Sequence, residues 1–249
     1  LEYDLWPSAD LLVMAWDAGA HLQLAEGVFQ PKDRLLLDLD YAWAYLATTN
    51  DPKTDQFAYG NPTIGAHLAL PLDRYVPDLR VHFGFAWTAP ALSDPDLAVG
   101  ITGAVGDNVH AGFLYGRTLP FYMGFRFDIG AEYRIVPNLY YRGTLNPVVY
   151  VPTNGKYSLE NELVLEQGNE IEVRTGSGLG FGLRFQEAFT LTSDDLVQTA
   201  AELFAAYTPE HANLYGRLGM LVALDGGAGF GFDENKLATV NLSLGYHLK

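Results

Sequence analysis

The sequence predicts an all-β fold: an antiparallel up-and-down β-barrel that crosses a membrane with about 12 strands, 14 being the other even count it permits. Three observations carry that expectation. Apolar and polar residues alternate with period 2 through ten separate runs, the pattern of strands whose two faces meet unlike surroundings. Most of these runs reach the roughly 9–11 residues that a tilted membrane strand needs, against about 5–6 for a strand of a soluble domain. Charge is also segregated. The five lysines (Lys32, Lys53, Lys156, Lys236, Lys249) stand in expected turns, loops or at the terminus, whereas Arg80, Arg126, Arg142, Arg174, Arg184 and Arg217 fall on the polar parity. A basic residue on a lipid-facing position costs about 2–4 kcal/mol at the bilayer midplane.

Taken along the chain, a short strand is expected around Glu2–Trp6. Leu12, Met14, Trp16, Ala18, Ala20, Leu22 and Leu24 then oppose Asp17, Gly19, His21 and Gln23. Leu35, Leu37, Leu39, Tyr41, Trp43 and Tyr45 oppose Asp38, Asp40, Ala42 and Ala44. Ile64–Leu72 and Leu79–Trp87 repeat the pattern, with His67, Arg80 and His82 on the polar side. Leu119–Tyr133 sets Arg126, Asp128, Gly130 and Glu132 against a row of Phe, Ile and Met. Leu139–Leu145 carries Arg142, and Tyr157–Leu165 carries Glu160, Glu162 and Glu166. A Gly168-Asn169 turn, a residue pair suited to tight hairpins, then leads into Ile171–Phe185 with Glu170, Glu172, Arg174, Arg184 and Gln186 on the polar parity. Alternation is expected to continue through Gly176–Gly180, whose glycines make room or permit bending. Leu214–Leu224 and Val240–Leu248 complete the set.

Two stretches read less directly. Leu196, Ala200, Leu203 and Tyr207 share one helical face, but the flanking strands and the Thr208-Pro209-Glu210 turn favour a strand over Val197–Tyr207. Leu97–Arg117, rich in Gly and Ala, is either a long loop folded into the lumen or one further hairpin. Short connections (Asp73–Asp78, Val136–Asn138, Pro209–His211) alternate with long ones (Thr48–Ala58, Ala89–Thr118, Pro152–Lys156, Ala188–Asp195, Asp225–Lys236). That asymmetry is the one between periplasmic turns and extracellular loops.

Composition narrows the classes. All 249 residues fit one domain, since β-barrels of this length are commonly single. Hydrophobic residues at 49% exclude disorder, and charged residues at 18% are fewer than the roughly 25% usual in soluble domains. A formal charge of −15 with no basic run argues against a nucleic-acid partner. The absence of cysteine removes thiol nucleophiles, disulfides and Cys-ligated zinc. No apolar run approaches the roughly 18 residues of a membrane helix. Because the chain starts at Leu1 without a basic and apolar leader, any signal peptide is expected to have been removed or never present. The alternative fold is a large soluble β-sandwich or lipocalin-like barrel, whose long strands would carry Lys and Glu on an outer face.

With these runs, the aromatic strand ends Trp16, Trp43, Trp87, Tyr133 and Tyr141, and a final strand Thr239–Lys249, the chain resembles Gram-negative outer-membrane β-barrels of the porin-like kind over its whole length. The ending Tyr246-His247-Leu248-Lys249 departs from the aromatic last residue usual in that family. The layout is also similar to the roughly 12-stranded MetA-pathway (phenol-degradation) transporter-like barrels. The resemblance implies an outer-membrane location and contact with its lipids.

The polar parity supplies the candidate site. Asp38, Asp40, Arg80, Arg126, Asp128, Arg142, Glu160, Glu162, Glu172, Arg174, Arg184 and Arg217 are expected to line a lumen, with Asp17, Glu132, Glu170 and Glu202 as further acidic members. Such a ladder either sets ion or solute selectivity or pairs across strands and fills a narrow lumen. The acidic excess favours cations or neutral solutes. His21, His67, His82 and His247 share that parity, and His67 and His82 could face each other across one hairpin. Without a clustered ligand spacing, hydrogen bonding is the better reading than a metal. Asn241, Ser243 and His247 lie on one face of the last strand, but four residues span about 13 Å, too far for a Ser–His pair. No enzyme, cofactor or metal is therefore expected. The expected function is passive passage of small solutes or ions. The alternative is a structural barrel with a plugged lumen inside an envelope machine for secretion, adhesion or motility, bound to other envelope proteins.

Overall fold

The computed structural model describes residues 2–4, 11–29, 32–48, 55–91, 121–153, 160–192, 197–209, 214–224 and 238–246. The described residues form strands and turns without a helix. In chain order the strands are β1 (Glu2–Asp4), β2 (Leu11–Glu26), β3 (Arg34–Thr48), β4 (Asp55–Tyr59), β5 (Thr63–Pro71), β6 (Leu79–Thr88) and β7 (Tyr122–Val136). They continue as β8 (Leu139–Pro152), β9 (Glu162–Arg174), β10 (Leu179–Thr190), β11 (Val197–Tyr207), β12 (Leu214–Ala223) and β13 (Ala238–Tyr246).

All pairings are antiparallel and belong to one sheet, in which sequence neighbours lie side by side from β5 to β13. β4 and β5 run end to end along β3: Trp43–Ala47 pairs with β4 and Arg34–Asp40 with β5. Counting that pair as one and setting β1 apart leaves eleven up-and-down strands among the described residues. The three-residue β1 pairs with β13 on one side and β2 on the other. The all-β up-and-down architecture expected from alternation is present. Leu97–Arg117, His247 and most of the expected long connections lie outside the described residues.

Short turns join the strands at one end of the sheet. Asp33, with no exposed surface, closes the turn between β2 and β3. Its carboxylate accepts from the Val28 and Phe29 amides at 2.7 and 2.6 Å, and its carbonyl from Gly27 N at 3.2 Å. The β5–β6 turn is held by Leu72, whose carbonyl accepts from Tyr75 and Val76 and whose amide donates to Leu79.

One hairpin differs from the sequence expectation. Gly168 and Asn169 form no turn; they sit in mid-strand in β9, opposite Thr144 and Gly143 on β8. The turn lies at residues 175–178, where Thr175 N donates to the Leu179 carbonyl at 2.8 Å and Gly178 N to the Thr175 carbonyl at 3.0 Å. Alternation therefore does not run on through Gly176–Gly180. Gly178 has φ +85°, and a Cβ there would lie 2.6 Å from the Thr208 carbonyl oxygen, so this position requires glycine. The sequence misled because residues 166–170 are polar on both parities, which erases the period-2 signal.

The sheet has two unlike faces. One exposes Phe83, Phe85, Trp87, Phe127, Ile129, Ile171, Phe181, Leu183, Leu203 and Leu218, among others. The other carries nearly all the charges, and toward the long-connection end it also holds an apolar group of Tyr122, Val148, Tyr150, Val164 and Ala188.

Candidate functional site

On the polar face, one cross-strand row alternates in sign across five strands. Glu132 on β7 faces Arg142 on β8, which faces Glu170 on β9, then Arg184 on β10 and Glu202 on β11. Opposite charges directly across an antiparallel pair stabilise it. The guanidinium of Arg142 gathers three carboxylates. Nε donates to Glu132 at 3.0 Å, Nη2 to Glu172 at 2.8 Å, and Nη1 to Glu170. Arg174 makes two bonds to Glu172, both 2.9 Å. Arg217 on β12 bridges Glu170 and Glu202 at 2.7 Å each, with its guanidinium carbon 3.6 Å from the centre of the Phe204 ring. The carboxylates are well covered: Glu172 is 1% exposed, Glu202 3% and Glu170 7%. Buried carboxylates need such pairing, because an unpaired charge removed from water is strongly unfavourable.

Glycines on adjacent strands make this packing possible. A Cβ on Gly180 would lie 2.1 Å from Glu172 Oε1, and one on Gly219 2.0 Å from Glu202 Oε1. Gly84 is matched in the same way with His67 (2.0 Å to Cδ2), and Gly19 with Asp40 (2.3 Å to Oδ1). The ionisable side chains thus lie flat over glycine backbone. Tyr215 over Gly245 and Phe204 over Gly182 repeat the device with rings.

A second cluster is built by β2, β3, β5 and β7. Asp38, 3% exposed, takes His21 Nδ1 at 2.5 Å on one oxygen and His67 Nδ1 on the other. His67 Nε2 reaches Asp128 Oδ2 at 2.9 Å, and Arg126 Nε lies 2.8 Å from Asp128 Oδ1. Both nitrogens of His67 therefore face carboxylates. Among the described residues no group of three or more His, Cys, Asp or Glu is arranged to hold a metal ion.

The expected site residues separate accordingly. Arg142, Glu172, Arg174 and Arg217 join in the first cluster, and Asp38, Arg126 and Asp128 in the second. Arg184 stands in the charged row, yet with the Gln186 side-chain carbonyl turned toward it, its guanidinium is held by that amide at 2.7–3.0 Å. Asp40 lies over Gly19. Arg80 is exposed and faces Glu132 and Pro71 in register. Glu162 opens β9 on the same side as Tyr150, while Glu160 precedes the strand and is exposed. His82 pairs in register with Ala69, and His67 with Gly84, so the two histidines are diagonal neighbours; His67 bonds to carboxylates instead.

Sequence reading missed one feature. Gln167 and Asn169 on β9 share the parity of Leu165 and Ile171, and Glu187 on β10 shares that of Phe185. These polar residues stand on the otherwise apolar face. Gln167 Nε2 donates to Glu187, and Tyr141 OH donates to Asn169 Oδ1 at 2.7 Å. The available signal was the polar stretch of residues 166–170. No protein-family model matches the chain, and a comparison with curated proteins found no match.

Proposed function

We propose that the chain is an outer-membrane β-barrel, closed through β1, that conducts small solutes or ions passively and favours cations or neutral solutes over anions. The observation that carries this reading is the sorting of the two faces. Large apolar residues such as Phe83, Phe127, Phe181 and Leu203 are exposed along one face, while Asp38, Asp128, Arg142, Glu170, Glu172 and Glu202 lie on the other. A soluble monomer rarely exposes a contiguous apolar patch beyond a few hundred Å². A hydrocarbon surround accommodates that face, and a polar lumen the opposite one. Closure is supported by the pairing of β1 with both β13 and β2. The short turns at one end suit the periplasmic side. A conduit is favoured by side chains that lie against the wall over Gly19, Gly84, Gly180 and Gly219.

The near-complete burial of Glu172 and Glu202 favours a second reading, a structural barrel whose charged row braces the wall within an envelope assembly. Conductance of the refolded protein in a planar bilayer under a salt gradient separates the two. Stable openings with a reversal potential on the cation side are expected. A barrel that inserts, shown by heat-modifiable migration, yet passes no current would sink the conduit reading and favour the brace.

A further inference from the structure

The polar island of Gln167, Asn169 and Glu187 interrupts a face that the membrane reading gives to lipid. In hydrocarbon, polar groups without partners are costly, and buried or lipid-facing ones find hydrogen bonds wherever they can. Within the island Glu187 receives one bond from Gln167, and the Asn169 oxygen accepts one from Tyr141, while the Asn169 amide nitrogen donates to no partner among the described residues. Asn169 is exposed. A donor amide on β9 therefore stands beside an acceptor carboxylate on β10, one pleat apart, since Gln167 pairs with Glu187 and Asn169 with Phe185.

We infer that this island is the centre of a contact between two copies of the chain, related by a two-fold axis along the membrane normal between β9 and β10. The inference rests on the membrane reading above. Such an axis brings β9 of one copy against β10 of the other, so each Asn169 amide meets the other copy's Glu187 carboxylate. The donor and acceptor sets exchange under the rotation, which is the self-complementarity that a two-fold interface demands. Lipid tails offer the Asn169 donors and the Glu187 carboxylate nothing in return.

The chain has no cysteine, so introduced thiols report without background. Ile171→Cys and Leu183→Cys, which replace cross-strand neighbours on the same face and leave the island intact, are refolded separately and co-reconstituted in liposomes. Phe83→Cys on β6 serves as the distant control. Oxidation is expected to yield a covalent 171–183 dimer well above the control. Adding Gln167→Leu and Glu187→Leu to both variants should lower its yield roughly tenfold, the effect of about 1.4 kcal/mol. Cross-linking no higher than that of Phe83→Cys, in samples that keep heat-modifiable migration, overturns the dimer while leaving the barrel intact. A chain that stays dissolved without detergent and lacks that migration overturns both.

Discussion

The guanidinium of Arg142 donates to Glu132, Glu170 and Glu172 while itself 29% exposed. Removing it takes a donor from three carboxylates at once, two of them almost covered; Glu172 keeps Arg174 and Glu170 keeps Arg217, while Glu132 loses its hydrogen bond. Leaving a buried charge without a partner costs about 3–5 kcal/mol; the partial exposure of Arg142 and the cations that Glu170 and Glu172 keep put the expected loss below that range. Arg142→Met is therefore expected to lower the thermal midpoint of the folded form clearly, and more than Arg80→Met, which removes an exposed arginine. Heat-modifiable migration against temperature checks this, and equal midpoints for the two variants would show the row to be passive. The parity of Arg142 was legible from its place in Leu139–Leu145. Its three partners were not, because alternation assigns a face and says nothing of which charges on that face touch.

At the scale of elements, the turns decide the register. Asp33 holds the β2–β3 turn by accepting two amides on its side chain and one on its carbonyl. Each hydrogen bond adds about 0.5–1.5 kcal/mol, more where the acceptor is charged. Asp33→Ala is expected to destabilise the protein by about 2 kcal/mol, read as a lower denaturant midpoint; a change below about 0.5 kcal/mol, the usual scatter for surface positions, would show that the strands alone hold this hairpin. The β9–β10 hairpin teaches the converse. Gly168-Asn169 has the residue types of a tight turn, yet the strand continues because residues 162–174 pair along β8 and β10 on both sides. Long-range pairing overrides a local turn preference when both neighbours extend through it. The polar stretch that looked like a break is where Gln167 and Asn169 reach the apolar face.

For the whole molecule, if the proposed conduit holds, the net charge of −15 and the carboxylates on the polar face set its expected selectivity. Asp40 offers a clean test, since it lies over Gly19 and pairs with no cation among the described residues. Asp40→Lys is expected to leave folding intact and to move the reversal potential toward anions. An unchanged potential in a conducting variant would place the selective stretch elsewhere.

Strand content, the assignment of most residues to one of two faces, and the sorting of most charge to one of them were legible in the order of amino acids alone. These follow from a period of two, a property of the local backbone that needs no knowledge of neighbours. Which charges meet, which glycines yield space to them, where the β9–β10 turn falls and the polar island on the apolar face emerge from the fold. Those depend on register between strands far apart in the chain. A one-residue shift would reverse every face, so register is set jointly by all the pairings and not by any single segment.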